Sequence, residues 1–171
     1  MKAQLYPTII DATAGLGRDA FLLASLGSNV TLIERSDVMH SLLADGLKEA
    51  EREGGKYEEI ASRMTLIHGD SIELLPTLPC EVVLIDPMHP ARTKSALVKS
   101  DMRQIREIVG IDPDQLSLIQ TALTTATKRV VVKWPAKAKP LDGLAPCSHQ
   151  IIGKSVRFDV FMTTQHHGAN G

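Results

Sequence analysis

The chain of 171 residues has no apolar run near the roughly 18 residues needed to span a bilayer, and no apolar stretch follows Met1-Lys2 as in a signal peptide. Neither membrane insertion nor export is expected. There are only two cysteines, Cys80 and Cys147, far apart and in no CxxC or Cys/His ligand spacing. Neither a disulfide framework nor a metal site is indicated, and a reducing cytoplasm fits best. Internal repeats and low-complexity linkers are also missing. Net charge is nearly absent, −1 at pH 7, but the sum hides an asymmetry. Arg92, Lys94, Lys99, Arg103 and Arg106 face Asp101 alone in one segment, and Lys128, Arg129, Lys133, Lys137 and Lys139 face no acid in another.

What is present is the composition of a globular chain, 43% hydrophobic and 23% charged. A single domain is expected over residues 1–164, with 165–171, including His166-His167, as a disordered tail. Thr8-Ile9-Ile10-Asp11 reads as a strand, Ala14-Gly15-Leu16-Gly17 as a tight loop, and Phe21, Leu22, Leu23 and Leu26 as the apolar pattern of a helix stopped at Gly27. Asn29 to Ile33 is a second strand ending at Glu34, and Ser36 can cap a helix with Val38, Met39, Leu42, Leu43 and Leu47 on one face. Met64–Ile67 and Val82–Ile85 read as the third and fourth strands. Two helices follow, the second with Asp112 as N-cap and Pro113 at its first position. Arg129–Lys133 is a fifth strand, and 149–152 with 156–162 form an antiparallel hairpin around Gly153-Lys154-Ser155. Strands alternating with helices imply an α/β fold, Rossmann-like, with a mostly parallel sheet finished by a C-terminal antiparallel hairpin.

In such a sheet a small-molecule site belongs at the C-terminal strand ends, where Asp11, Gly15, Gly17, Glu34, Asp70 and Asp86 fall. Gly15-Leu-Gly17-Arg-Asp-Ala20 matches G-x-G-x-x-A, and Glu34 stands near the spacing of a ribose-binding acid, so an NAD-dependent oxidoreductase is a rival reading. Asp11 separates the two. A carboxylate beside the loop opposes a pyrophosphate but suits S-adenosylmethionine (SAM), whose sulfonium and ammonium are cationic. As a bland alternative, Asp11 is a turn residue. Glu34 can accept both ribose hydroxyls or stand as a solvated strand-end acid. Asp70-Ser71 can read an adenine edge, cap a helix, or both.

Asp86-Pro87-Met88-His89-Pro90 after the fourth strand carries the chemistry. Two prolines stiffen the loop and leave carbonyl acceptors. An exocyclic amine conjugated with a base is a poor nucleophile, improved when an acid and a carbonyl hold its hydrogens and turn its lone pair toward the methyl group. Asp86 and Pro87 are the candidates, with His89 stacking on the base or serving as an ordinary loop histidine. Lys94, Lys99, Lys133 and Lys137 are candidates for RNA phosphates, whereas Arg103 and Arg106 equally suit a solvated helix face. Trp134 can stack on an unpaired base or pack inside.

Six segments in order, Asp11–Ala20, Leu32–Arg35, Asp86–Pro90, Lys94–Lys99, Lys128–Lys133 and Arg157–Asp159, resemble the RsmJ-type 16S ribosomal RNA (guanine-N2)-methyltransferases. The resemblance implies a class I SAM-dependent methyltransferase acting on small-subunit ribosomal RNA or the small ribosomal subunit. It also implies cofactor contacts at Arg18, Asp19, Glu34, Arg35, Asp70, Ser71 and Asp86. Relative to that family the region ahead of the first strand is short, His89 stands where phenylalanine is frequent, and Trp134 stands where arginine is usual. A shortened cofactor-binding core that is inactive alone is therefore the third reading.

Overall fold

The computed structural model describes residues 7–87 and 114–163. Strands β1 (Ile9–Asp11), β2 (Val30–Glu34), β3 (Met64–His68), β4 (Val82–Ile85), β5 (Arg129–Pro135), β6 (His149–Ile152) and β7 (Val156–Met162) form one sheet in the order β3-β2-β1-β4-β5-β7-β6. The first five strands pair in parallel, and β7 runs antiparallel between β5 and β6. The α/β class, the five parallel strands and the closing hairpin all agree with the sequence-based expectation. The strand order reverses between β1 and β4, the crevice where such sheets bind ligands.

Two apolar layers hold the sheet. Helices α1 (Arg18–Ser25), α2 (Asp37–Glu53) and α3 (Gly55–Ala61) cover one face, around Ile9, Val30, Leu32, Val82 and Leu84. The other face packs Ile10, Ile33, Val83, Ile85, Val130 and Val132 under α4 (Ser71–Leu74) and α5 (Gln115–Thr125). Strands buried on both faces explain the near-continuous Val/Ile/Leu runs. In β5 the alternation is cleaner: Val130, Val132 and Trp134 are buried, and Val131, Lys133 and Pro135 are partly exposed. Lys133 and Trp134 therefore lie on opposite faces.

Two expectations about helices need correction in part. In α1 the residues against the sheet are Ala20 and Ala24, both fully buried, whereas Leu22 and Leu26 are 58% and 61% exposed. The small side chains let the helix lie close to the strands; Phe21 and Leu23 pack against the same layer as expected, and only Leu22 and Leu26 of the apolar pattern turn outward. In α2 the Ser36 cap forms, its Oγ accepting from Met39 N–H at 3.4 Å, but only Met39 and Leu43 are buried. Val38 and Leu42 face solvent because the stripe touching the sheet edge is one i, i+4 row wide. Helix α3 carried too weak an apolar period to be read, whereas α4 begins at the cap offered by Asp70. The helix start assigned to Asp112-Pro113 lies outside the described residues, as does the tail 165–171; the described helix α5 opens at Gln115 behind Asp114.

Candidate functional site

The site assembles from the C-terminal ends of β1, β2, β4 and β5. β1 ends in Asp11, which is 4% exposed and accepts a hydrogen bond from Thr13 N–H at 3.1 Å. The chain then turns through Gly15 and Gly17, both left-handed at φ 53° and 67°. At Gly17 this conformation is compulsory twice over. Its φ strains an L side chain, and a Cβ there would stand 2.7 Å from Leu43 Cδ2.

Glu34, at the end of β2, ties the turn down: Oε2 accepts from Gly15 N–H at 2.9 Å and Oε1 from Ser36 N–H at 2.8 Å. An ionised carboxylate has about four acceptor positions, so two remain for hydroxyl donors. Ser71 donates its hydroxyl to the Ala12 carbonyl at 2.7 Å. Asp70 caps α4 by accepting from Ile72 N–H at 2.8 Å, and its Oδ2 lies 3.9 Å from the Arg35 guanidinium. The capping role of Asp70 thus coexists with an ion pair to Arg35 through its other oxygen. Arg18 is exposed in the first turn of α1.

β4 delivers Asp86 and Pro87. The Asp86 N–H donates to Thr13 Oγ1 at 2.7 Å, fastening this loop to the β1 turn. Its carboxylate meets Lys133 from β5, with Nζ 2.9 Å from Asp86 Oδ2 and 2.7 Å from Asp19 Oδ2. Asp11, Asp19 and Asp86 therefore share one neighbourhood with a single lysine. Burial raises the Asp11 carboxyl from 3.8 to about 7. The Thr13 hydrogen bond and Lys133 oppose that rise, and the charges of Asp19 and Asp86 add to it. Burial pulls the Lys133 ammonium down, but its two carboxylate partners outweigh this and leave it above its ordinary value.

Of the expected site residues, the structure brings together Asp11, Gly15, Gly17, Asp19, Glu34 and Asp86, with Asp70, Ser71 and Arg35 along the adjoining strand ends. His89, Lys94 and Lys99 lie outside the described residues. Lys133, expected on phosphate, is held between Asp19 and Asp86. Trp134, expected to stack or pack, is packed: it is 6% exposed and donates Nε1–H to the Lys139 carbonyl at 2.8 Å. Lys137 is exposed. Sequence reasoning missed Thr13 as the fastener and Lys133 as the counter-charge. The β5 alternation could have found the latter, since it puts Lys133 opposite the buried Trp134 on the α1 side of the sheet.

The donor set suits a cationic ligand bearing hydroxyls: three carboxylates against one ammonium, a carboxylate with spare acceptor positions, and a turn without Cβ atoms at Gly15 and Gly17. SAM has that chemistry. NAD does not, because its two phosphates would add negative charge beside Asp19 and Asp86. Among the described residues no His, Cys, Asp and Glu group is placed to hold a metal ion, and no helix is long and apolar enough to cross a membrane.

A family model described as SAM-dependent methyltransferase matches residues 1–163. The ribosomal RNA small subunit methyltransferase J of Brucella anthropi is 65% identical over 156 residues, 91% of this chain and 76% of that protein. The protein of the same name from Agrobacterium fabrum is 64% identical, over 91% and 75%. Among solved structures, a SAM-dependent methyltransferase from Neisseria gonorrhoeae superposes with a TM-score of 0.74 at 39% identity, covering 96% of this chain and 68% of that one. A glycopeptide N-methyltransferase with SAM bound shares the fold at a TM-score of 0.54 and 15% identity.

Proposed function

The chain belongs to the family of SAM-dependent methyltransferases, and on that premise we propose that it methylates the exocyclic N2 amine of a guanine in small-subunit (16S) ribosomal RNA. The observation that carries this reading is the convergence of Asp11, Asp19, Asp86 and Lys133 at the β1/β4 crevice. The names of the relatives supply the substrate class. We read residues 1–164 as the catalytic domain. The oxidoreductase alternative is not carried forward.

SAM supplies an electrophilic methyl group on a sulfonium. Glu34 accepts from the ribose hydroxyls, Asp70 and Ser71 border the adenine, and the acids near β1 and α1 balance the positive charges, with Arg18 and Arg35 flanking. The Asp86 carboxylate accepts one hydrogen of the target amine, and the Pro87 carbonyl accepts the other. Held this way, the nitrogen lone pair faces the methyl group, and catalysis is positioning plus electrostatics with no covalent enzyme intermediate. After transfer the amine carries a positive charge, and Asp86 accepts the proton it sheds. His89 serves as the stacking partner of the base, while Lys94, Lys99 and Lys137 neutralise phosphates.

The test is transfer of labelled methyl from SAM to small-subunit ribosomal RNA, followed by nucleoside analysis of the product. N2-methylguanosine from the wild-type chain, lost in Asp86→Ala with the fold retained, supports the reading. Label on another base, or full activity in the variant, sinks it. A chain that binds S-adenosylhomocysteine yet transfers nothing to any ribosomal substrate would instead be the inactive core.

A further inference from the structure

On the sheet face away from the cradle lies a cavity of about 330 Å³. It is walled by Trp134, Phe161, Leu144 and Pro146, with Gln150 and Asp159 as its polar members. We propose that it is a second nucleobase subsite, which takes an unpaired, amino-bearing base flanking the target guanine. The proposal rests on the RNA reading above for the polymer, not for the chemistry of the base.

The volume sits at the lower end of the range for ligand pockets, about 300–1,000 Å³, room for a base and not for a whole cofactor. Its walls offer ring and proline surfaces of the kind on which splayed bases stack. Asp159 is 6% exposed. Its Oδ1 accepts from Arg157 Nε at 2.8 Å and from Gln150 Nε2 at 2.7 Å, while Oδ2 takes no hydrogen bond among the described residues. Arg157, 5% exposed, gives Nη1 to the Pro135, Ala136 and Ala138 carbonyls and leaves Nη2 buried without a partner. Buried polar atoms are ordinarily matched. Here Arg157 Nη2 is a buried donor without a partner, and two residues along β7 the Asp159 carboxylate, an acceptor with one oxygen not taken up by Arg157 or Gln150, belongs to the cavity wall. A carboxylate can only accept, so it favours a base with an exocyclic amine, as in guanine, adenine and cytosine, over uracil, whose one imide N–H is flanked by two carbonyl oxygens that repel it.

The surroundings suit the rest of a nucleotide. Lys137 and Lys139 are exposed in the segment that leads from β5 into the Pro140–Cys147 wall, where they can neutralise phosphates. Lys133 of the cradle and Trp134 of the cavity are neighbours in β5 that point to opposite faces. A single strand passing over the C-terminal end of β5 can therefore present one base to each side.

Two probes already lie in the wall. Trp134 is the only tryptophan, and Cys147 lines the cavity while Cys80 is buried elsewhere. With the cradle first saturated with S-adenosylhomocysteine, the full chain is titrated with GMP, AMP, CMP and UMP while Trp134 emission and alkylation of Cys147 by N-ethylmaleimide are followed. GMP, AMP and CMP should change the emission saturably and protect Cys147. UMP should bind about tenfold more weakly, the value of one hydrogen bond to a charged group. Gln150→Leu, at an exposed position, should weaken the three binders several-fold. Unchanged emission and labelling up to nucleotide concentrations on the order of 10 mM would mean a water-filled cavity and overturn the proposal, as would an equal response to UMP. Calorimetric binding of S-adenosylhomocysteine is read on the same preparation. Its failure beside a positive nucleotide response counts against the methyltransferase reading, and the reverse pattern counts against the subsite.

Discussion

The two halves of the sheet treat buried charge in opposite ways. Around β1 and β4, Asp11, Asp19 and Asp86 crowd together with one lysine among them, and the most buried of the three, Asp11, is pushed up to about 7. Around β7, Arg157 and Asp159 are buried at 5% and 6% exposure as an ion pair with further backbone and amide partners. The first arrangement keeps acceptors available at the cost of stability. The second matches charge to charge and is part of what holds the antiparallel half together, and the difference separates an excess of acid held around one base from acid and base paired one to one.

The sharpest way to break this contrast is Arg157→Met. Removing one partner leaves the Asp159 carboxylate buried and uncompensated, so unfolding free energy should fall by about 3–5 kcal/mol. The double change Arg157→Met with Asp159→Leu should recover most of that. Chemical denaturation measures both, and a loss below about 1 kcal/mol in the single variant would place the pair with surface salt bridges.

Asp86→Asn tests the opposite expectation, a large functional loss with little structural one. The Thr13 hydrogen bond survives because the backbone N–H of Asp86 makes it. An amide holds the target amine less well than a carboxylate, so methyl transfer should slow about 10²–10³-fold, with the melting temperature nearly unchanged. A parallel collapse of stability would move Asp86 into the structural class.

How much of this was legible in the sequence follows the same division. The strand-end acids, the glycine turn and the parallel strands are local features, readable from Asp11, Gly15, Gly17, Glu34 and Asp86 in their runs. The Arg157–Asp159 pair was visible only as a short run resembling a family, because its burial depends on packing against β5 and on the carbonyls of residues 135–138. Lys133 reads as one more member of a basic run until tertiary structure sets it against Asp19, a contact spanning 114 positions. The outward leucines of α1 were misread for a related reason: apolar period alone does not tell how closely a helix approaches its sheet.

Asp11 sharpens the comparison through pH. Its carboxyl is raised from 3.8 to about 7 in the folded chain, so the folded state binds the proton more tightly than the unfolded state. The stabilisation from this proton is fully present below about pH 3.8 and is lost as pH rises through 7. The ligand-free protein should therefore lose about 2–3 kcal/mol of stability from this group between pH 5 and 8. Asp11→Asn, which keeps an acceptor for Thr13, should flatten the profile and be the more stable chain at pH 8. Thermal melts across that range decide it, and a slope that survives in the variant would assign the effect to other groups.

The smallest effect is expected at the residue that joins the two halves. Lys133 sits on β5 and, among the described residues, pairs with acids of the first half, and its side chain is 24% exposed against 37% for Asp19 and 42% for Asp86. Solvent screens such pairs, so Lys133→Met should cost no more than about 1 kcal/mol at low salt. The cost should shrink as ionic strength rises and the screening length falls below about 10 Å. Binding should respond in the other direction. Without its ammonium the cradle is more negative, so cationic SAM should gain affinity relative to neutral S-adenosylhomocysteine, and Lys133→Arg should restore the wild-type ratio. Calorimetric titration with both ligands measures that ratio. An unchanged ratio in Lys133→Met would mean that the lysine only stabilises the empty cradle and exerts no force on what enters it.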